Sequence, residues 1–237
     1  SFPSRRSSDL QKQAFLFLCH HPTRATSTEF AKLKDGSDSF GDIYWLYHQR
    51  EGGHTPRLIQ SHSKYVFTDD SIKALGYPQI GESLIPGHVH FPVLQFYRSH
   101  PTYVHYWLIE YDVRYTGTWR SFFRAITEAF PHDFVASHLR RYDEEPEWQW
   151  WDSLSHPGSE IARSGRLRSF NPIFRVSNAG LQHLHEAHRD GWKGHNEVLF
   201  PTLFERSQLS IADFGGDGTF VPNGFQNRFY TSGVTNN

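Results

Sequence analysis

The chain has 237 residues, which is long enough for one large domain or two small ones with an ample hydrophobic core. Its 24 Lys and Arg residues nearly balance its 25 Asp and Glu residues, which argues against a generic nucleic-acid-binding protein. A single cysteine excludes an intrachain disulfide and a cysteine-rich zinc site, and no apolar run approaches the roughly 20 residues that span a bilayer.

The chain contains no Met, even at position 1, so we expect a trimmed or partial product. The lone Cys19 favours a reducing compartment. We therefore expect a cytoplasmic protein, with peripheral association with a membrane left open.

The first half of the chain contains short apolar runs that end in polar or turn residues, a pattern typical of buried parallel strands. We predict strands at these runs, which are residues 14–21, 42–49, 64–70 and 106–112. The segments between them predict helices at residues 27–35, 71–77 and 86–100. Ser27 or Thr28 would cap the first helix, and Pro92 would lie in the first turn of the third helix or kink it.

The second half continues the alternation of helices and strands. Gly117 marks a turn, and Thr118 is a candidate cap for the amphipathic helix that follows. We predict the remaining strands and helices at residues 133–139, 171–180, 181–192, 196–207 and 209–216. Residues 140–168 are polar, Trp-rich and irregular, which is typical of an insertion or a mobile active-site loop.

This alternation predicts a single α/β domain with a mostly parallel, mixed central sheet flanked by helices. We expect a flexible segment over residues 1–13, the domain itself over residues 14–214 and a C-terminal tail over residues 215–237. In such sheets the ligand binds beyond the carboxyl ends of the strands. Residues that follow the strands are therefore candidates for a site.

The strand at residues 106–112 ends in two carboxylates, Glu110 and Asp112, which lie on one face of the strand because side chains alternate. Two hard oxygen ligands beside an open crevice suit Mg²⁺ or Mn²⁺, above all when a diphosphate supplies further oxygens. The alternative is a pair of strand-end carboxylates that are solvated or paired with Arg114. The residue pattern leaves both interpretations open.

Two histidine-rich stretches suggest a metal site. His88 and His90 resemble the first half of a cupin metal motif, but the glutamate that should follow is missing. His185 and His188 share a helical face, yet their spacing is not that of the His-Glu-x-x-His motif, and no third ligand is indicated. Hydrogen-bonded or solvated histidine is the favoured interpretation.

The irregular region contains two further sets of candidates. Trp148, Trp150 and Trp151 could stack on sugar rings or could pin the loop to the core, and the sequence does not decide between these roles. Three arginines could clamp a diphosphate, with solvated loop charge as the alternative: Arg163, Arg166 and Arg168.

A turn with two glycines, Gly191 and Gly194, precedes the last predicted helix, and Asn196 occupies the position of its cap. Glu197 follows in the first turn, where the helix dipole favours the ionised carboxylate. A carboxylate held there and facing the crevice could be a general base, or it could simply stabilise the helix.

Taken in order, these parts resemble a glycosyltransferase of the GT-A fold over most of residues 14–214. The sequence "EYD" at residues 110–112 resembles the acid-x-acid metal motif of that fold, and "HNEVLFPTL" is similar to the catalytic helix start of core-2/I-branching-type inverting transferases. "RVSNAGLQHLHEAHRDGW" resembles the strand and helix over which the acceptor binds. The motif W-x-x-E-x-D-V-x-x-x-G-x-W also resembles a poorly characterised group of bacterial and fungal proteins.

The resemblance implies a nucleotide-sugar donor, with a UDP-sugar expected, and a glycan or glycolipid acceptor. Asp112, with Glu110, would hold a divalent cation on the donor diphosphate, and Glu197 would deprotonate the acceptor while the sugar transfers with inversion. Asn178 and Asn196 would contact the substrate, as would the three tryptophans. Core-2-type enzymes work without a metal, and positive side chains must then neutralise the diphosphate: Arg163, Arg166, Arg168 or Lys193.

We therefore expect a hexosyltransferase-like enzyme with no nucleic-acid partner. Two other functions stay open. A carbohydrate-binding protein without catalysis would use the tryptophans and would not need Glu197. A metal oxygenase with histidine ligands would need His88 or His90 and would contain bound iron or zinc.

Overall fold

The computed structural model describes residues 12–81 and 87–232 of the chain. Within them lie seven strands: β1 (Gln13–Cys19), β2 (Gly41–His48), β3 (Lys64–Phe67), β4 (His105–Glu110), β5 (Phe134–Arg141), β6 (Leu167–Ser177) and β7 (Ile211–Asp213). The α-helices of this part are α1 (Arg24–Ser37), α2 (Arg57–Gln60), α3 (Asp69–Lys73), α4 (His90–Ser99), α5 (Trp119–Ala129), α6 (Asn178–Arg189) and α7 (Asn196–Arg206). Short 3₁₀ helices between β5 and β6 span Tyr142–Glu144, Trp151–Ser153 and Arg163–Gly165.

The seven strands form one sheet in the order β3-β2-β1-β4-β6-β5-β7. The neighbours β3, β2, β1 and β4 run parallel to one another. β6 is antiparallel to both of its neighbours, β4 and β5, and β7 is parallel to β5. The predicted fold class, a single α/β domain with a mostly parallel mixed sheet flanked by helices, is confirmed.

Helices cover both faces of the sheet because the central strands are apolar on both sides. In β1, Leu16 belongs to the core formed with α4, α6 and α7, while Phe17 belongs to the core formed with α1 and α5. Both cores contain many ring contacts, such as Phe30 stacked on Trp45 with 4.6 Å between centroids. The aromatic-rich composition thus fills the two layers between sheet and helices.

The predicted elements are present, but several of their ends differ. α1 begins earlier than predicted because Thr23 and Thr26 cap it reciprocally, with 3.2 Å from Thr26 N to Thr23 Oγ1. The prediction of Ser27 or Thr28 as its cap is therefore wrong. Pro92 lies in the first turn of α4, as predicted.

β6 differs most from its prediction. It begins at Leu167 rather than at residue 171, because its first residues pair with Arg140 and Arg141 of β5. Its predicted last residues instead begin α6, where the Ser177 hydroxyl accepts the Gly180 N–H at 2.9 Å. α2 was not predicted from the sequence.

The residues after β7, for which the sequence predicts a tail, pack against the core formed with α1 and α5. Phe214, Phe225 and Phe229 contribute rings to that core, and the Tyr230 hydroxyl donates to the buried Asp213 carboxylate at 2.6 Å. No helix of the described residues is long and apolar enough to cross a membrane.

Candidate functional site

The carboxyl ends of β1, β2 and β4 lie side by side because these strands are parallel neighbours. His20 follows β1, His48 ends β2 and Glu110 ends β4. Leu18 of β1 pairs with Glu110, so the residues that follow the two strands share one edge of the sheet. Open α/β sheets bind their ligands at this kind of edge.

Two carboxylates lie close enough to Glu110 at this edge to affect its ionisation. Burial, together with the negative charges of Asp112 and Glu197, raises the pKa of Glu110 to about 7. Glu110 is half-buried, and none of the described residues donates a hydrogen bond to its carboxylate. A half-buried carboxylate with like charges beside it favours a proton or a bound cation.

Arg114 does not neutralise this acid pair. Its guanidinium donates to the carbonyls of Tyr111 and Val113, and its Nε lies 4.0 Å from Glu29 Oε1. The interpretation of the two acids as partners of Arg114 is therefore wrong.

Glu110 and Asp112 are the side chains at this edge that could hold a divalent cation. Their carboxylate oxygens are the ligands that Mg²⁺ and Mn²⁺ prefer. The described residues contain no cluster of three or more His, Cys, Asp or Glu side chains suited to a metal. A cation held by these two acids would therefore take its remaining ligands from water or from a bound phosphate.

Glu197 lies in the first turn of α7, with 14% of its side chain exposed. Burial raises the pKa of Glu197, while the Asn171 N–H, 3.1 Å from Oε1, and the positive charge of Arg168 oppose that shift. A carboxylate with its pKa moved toward neutrality is suited to accept a proton at neutral pH.

The cap of α7 is His195, so the prediction of Asn196 as its cap is wrong. His195 Nδ1 accepts the Glu197 N–H at 3.3 Å, which assigns the ring proton to Nε2. Burial lowers the pKa of His195 to about 4, which keeps the ring neutral. Asn196 is buried and bonded to the Asn171 amide at 2.7 Å and to the Gly87 carbonyl, so it holds the start of α7 rather than a substrate.

A crevice of about 540 Å³ opens between the end of β4 and the start of α1. It is lined by His20, His21, Thr23, Ala25, Thr26, Arg50, Tyr111 and Arg114. The lining has no acidic side chain, and the Arg50 guanidinium makes no hydrogen bond or ion pair with any described residue. The volume is typical of small-molecule sites, and the lining favours an anionic ligand.

The four predicted basic side chains have three different surroundings. Arg163 and Arg166 both contact Asp152 within the loop, with Arg163 Nε 3.0 Å from Asp152 Oδ1. Lys193 is exposed, and its backbone pairs with Ser155. Arg168 alone among the four lowers the pKa of Glu197 through its charge. The arrangement thus brings Arg168 to the candidate site and leaves Arg163 and Arg166 as loop-forming residues.

The three tryptophans of the loop also have different surroundings. Trp151 is 2% exposed and donates its indole N–H to the Glu145 carbonyl at 2.8 Å, so it pins the loop to the core and is not available to a sugar. Trp150 stacks on His195 with 4.9 Å between centroids, and the Arg168 guanidinium lies 4.3 Å over Trp148. Trp148 and Trp150 therefore flank the start of α7.

Asn178 lies at the wrong end of the sheet for the predicted substrate contact. The preceding residue, Ser177, pairs with His105 at the start of β4, roughly 16 Å of extended strand away from its end. The Asn178 amide donates to the carbonyls of Pro101 and Tyr103. These hydrogen bonds attach the start of α6 to the segment before β4.

The buried histidines bond to one another rather than form a metal site. His90 Nε2 and His188 Nε2 are 2.9 Å apart, and His188 Nδ1 donates to the Trp192 carbonyl at 3.0 Å. His88 Nε2 accepts the Ile80 N–H at 3.2 Å. These bonds occupy nitrogens that an oxygenase metal would need.

Sequence reasoning missed most of the crevice. His20 and His21 directly follow β1, Arg50 follows β2 and Tyr111 follows β4. The rule that ligands bind beyond the carboxyl ends of parallel strands could have selected all four.

One protein family and several solved structures are similar to this chain. Residues 62–133, less than a third of the chain, match a family described as "Protein of unknown function (DUF3405)", and this segment includes Glu110 and Asp112. No curated protein matches the sequence. Among solved structures, 4-diphosphocytidyl-2C-methyl-D-erythritol synthase from Anaerococcus prevotii is similar over 86% of this chain and 90% of that chain, with 6% identity and a TM-score of 0.49. Glucosyl-3-phosphoglycerate synthase from Mycobacterium tuberculosis, in complex with Mn²⁺, UDP and phosphoglyceric acid, is similar over 90% of this chain and 73% of that chain, with 11% identity and a TM-score of 0.47.

Proposed function

We propose that this protein is a glycosyltransferase that moves a sugar from a nucleotide-sugar donor to a hydroxyl of a carbohydrate or glycolipid, with inversion. One observation carries the proposal: the acids that end β4 and the acid that begins α7 interact at one edge of the sheet, beside a crevice without acidic side chains. Sugar transfer needs a place for a diphosphate, positive charge to stabilise its departure and a base for the acceptor. These residues would supply all three.

The donor's nucleotide would bind in the crevice. The Tyr111 ring offers a face for a base, and Arg50 together with the first turn of α1 offers donors to phosphate oxygens. Asp112 directly follows Tyr111, so a nucleotide bound in the crevice would direct its diphosphate toward the acid pair. We expect the donor to be a UDP-sugar.

The acid pair fits a divalent cation. Glu110 is a half-buried carboxylate without a hydrogen-bond donor among the described residues, and like charges beside it make a cation favourable. When bound, Mg²⁺ or Mn²⁺ would neutralise the departing diphosphate. Arg50 and Arg168 supply further positive charge.

Glu197 would accept the proton of the acceptor hydroxyl while that oxygen attacks the sugar from the side opposite the diphosphate. The Asn171 N–H, the Arg168 charge and the start of α7 favour the ionised carboxylate that this role requires. Trp148 contacts Arg168 and Trp150 contacts His195, and both tryptophans would stack on the acceptor sugar. We further propose a cytoplasmic location, with peripheral membrane contact where the acceptor is a glycolipid.

Calorimetric titration tests the donor site. Nucleoside diphosphates would be titrated with and without Mn²⁺ into the wild type, into Asp112→Asn and into a control, Asp35→Asn. Asp35 is 84% exposed near the far end of α1, so the control removes an acid outside the site. We expect Mn²⁺-dependent binding that Asp112→Asn loses and the control keeps. A wild type that binds no nucleotide would overturn the proposal.

Non-catalytic carbohydrate binding is the second candidate, favoured by the position of Trp148 and Trp150 beside the start of α7. A pure binding protein would bind glycans, would ignore nucleotides and would be unaffected by Glu197→Gln. A transferase would bind both, and Glu197→Gln would stop transfer while leaving both ligands bound.

A further inference from the structure

β5 contains a bulge at His138, whose φ of 54° lies in the left-handed region that residues other than glycine seldom adopt. The pairing of β5 with β6 shifts register on both sides of Ser137. Such a conformation persists where the surroundings hold it, and it is concentrated at functional sites. Here the His138 N–H donates to the Tyr230 hydroxyl at 2.6 Å, and that hydroxyl donates to the buried Asp213 at 2.6 Å.

The bulge turns the His138 ring toward the irregular loop. His138 Nε2 donates to Glu145 Oε1 at 2.5 Å, and the second carboxylate oxygen, Oε2, accepts from Arg168 at 2.8 Å. The three side chains are 25%, 31% and 12% exposed, so burial shields both contacts from solvent. Glu145 is therefore a bridge between the bulge of β5 and the start of β6.

Arg168 depends on this bridge. Its guanidinium lies 4.3 Å over the Trp148 ring, and its buried Nε has no hydrogen-bond partner among the described residues. Glu145 is the one described carboxylate that accepts a hydrogen bond from it. Without Glu145, the stacking on Trp148 is the remaining contact that would restrain the charged group.

We infer that His138 and Glu145 are positioning residues, which hold the Arg168 guanidinium between Trp148 and the Glu197 carboxylate. The inference rests on the proposed function, because the position of Arg168 affects a reaction only if Glu197 takes part in it. A purely structural role, in which the two residues pin the loop, is the competing explanation. The pair Arg163–Asp152 in the same loop provides the control, since it is an ion pair with both side chains more than half exposed.

The variants His138→Gly and Glu145→Ala remove the bridge with little backbone strain. Glycine suits the backbone at residue 138, and alanine leaves no side-chain acceptor for Arg168. NMR of the full chain would follow the Arg168 Nε–H, identified by its absence in Arg168→Lys. We expect an upfield, slowly exchanging resonance in the wild type and in Asp152→Asn, because Arg168 lies over the Trp148 ring. In the two bridge variants the resonance should move to the position of exposed arginines, and an unchanged resonance would overturn the inference.

Turnover provides the second measurement, with the UDP-sugar that binds in calorimetry as the probe. We expect both bridge variants to lower kcat roughly 10- to 100-fold with little change in donor KM, because misplacing a site group by about 1 Å has effects of that size. Asp152→Asn should keep the wild-type kcat. Wild-type kcat in both bridge variants would overturn the inference. If the wild type transfers no sugar, the proposed function fails, and the NMR result alone decides whether the bridge positions Arg168.

Discussion

Asp133 and Glu110 are acidic residues at opposite ends of the central sheet, and their surroundings differ. Burial would raise the pKa of Asp133, but hydrogen bonds from Ser210 and from the Ser177 hydroxyl outweigh burial and lower it. Glu110 receives no hydrogen bond from the described residues, and burial with two neighbouring carboxylates raises its pKa to about 7. Asp133 is thus hydrogen-bonded within the fold. The Glu110 carboxylate is not hydrogen-bonded to the described residues, and it is suited to a ligand such as a cation.

This contrast separates stability from function within one sheet. At the end where β4 begins, polar side chains such as Asn178 and Asp133 fasten neighbouring elements to one another. At the end where β4 stops, the half-buried Glu110 lacks such a partner in the described parts of the chain. Unsatisfied charge costs free energy, and proteins tolerate that cost mainly where a ligand compensates for it. Substitutions at the two ends should therefore have opposite effects.

The largest effect is expected at Glu197. Glu197→Gln removes the proposed base, so transfer should fall by a factor of about 10² to 10⁴ while nucleotide binding is kept. Steady-state turnover and calorimetry on the same preparation measure the two quantities. Glu147→Gln is a matched control, since Glu147 is exposed in the nearby loop. Normal turnover by Glu197→Gln would remove Glu197 from the mechanism.

Glu110→Gln should stabilise the protein at alkaline pH. The folded-state pKa of Glu110, about 7, lies above its ordinary value of 4.5, so ionisation disfavours folding, and stability is lost as pH rises between these values. We expect Glu110→Gln to raise the free energy of unfolding by about 2 kcal/mol at pH 8 and to leave it nearly unchanged below pH 4.5. Denaturant titrations with a chelator present would measure both. A loss of stability at pH 8 would contradict the proposed repulsion.

Asp133→Asn tests the end of the sheet where β4 begins. The substitution removes charge-assisted hydrogen bonds with Ser177 and Ser210, so we expect the free energy of unfolding to fall by about 1–3 kcal/mol. Nucleotide affinity, measured by calorimetry, should not change. Equal effects of the two substitutions on stability would mean that the two ends do not differ as described.

The direction of β6 explains which part of the site could be predicted from the sequence. The acids after β4 and the acid in the first turn of α7 follow local patterns, so sequence reasoning could select Glu110, Asp112 and Glu197 as candidates. Nothing local shows that β6 runs antiparallel to β4. That direction carries Asn178 to the far end of the sheet and brings Arg168, near the start of β6, to the site.

Long-range pairing explains the remaining differences. Arg163, Arg166 and Arg168 lie within one short stretch of sequence. Their roles differ because the three side chains do not all contact the same carboxylate. Asp152 lies close to the first two, while Glu145 and Glu197 interact with Arg168. The partner of a long side chain depends on how the loop folds, which composition and periodicity do not encode.

The smallest expected effect concerns the helix caps on the site edge. Thr23 caps α1 and lines the crevice, whereas Thr68 caps α3 with the same reciprocal bonding to Ser71 and does not line it. Each substitution to alanine should lower the free energy of unfolding by about 1 kcal/mol, or the melting temperature by roughly 2–4 °C. Thr23→Ala should also weaken nucleotide binding severalfold, because fraying of α1 disorders the N–H groups that face the crevice, and Thr68→Ala should leave binding unchanged. Equal binding by the two variants would show that the start of α1 does not hold the phosphate, and Arg50 would then be the better candidate for that contact.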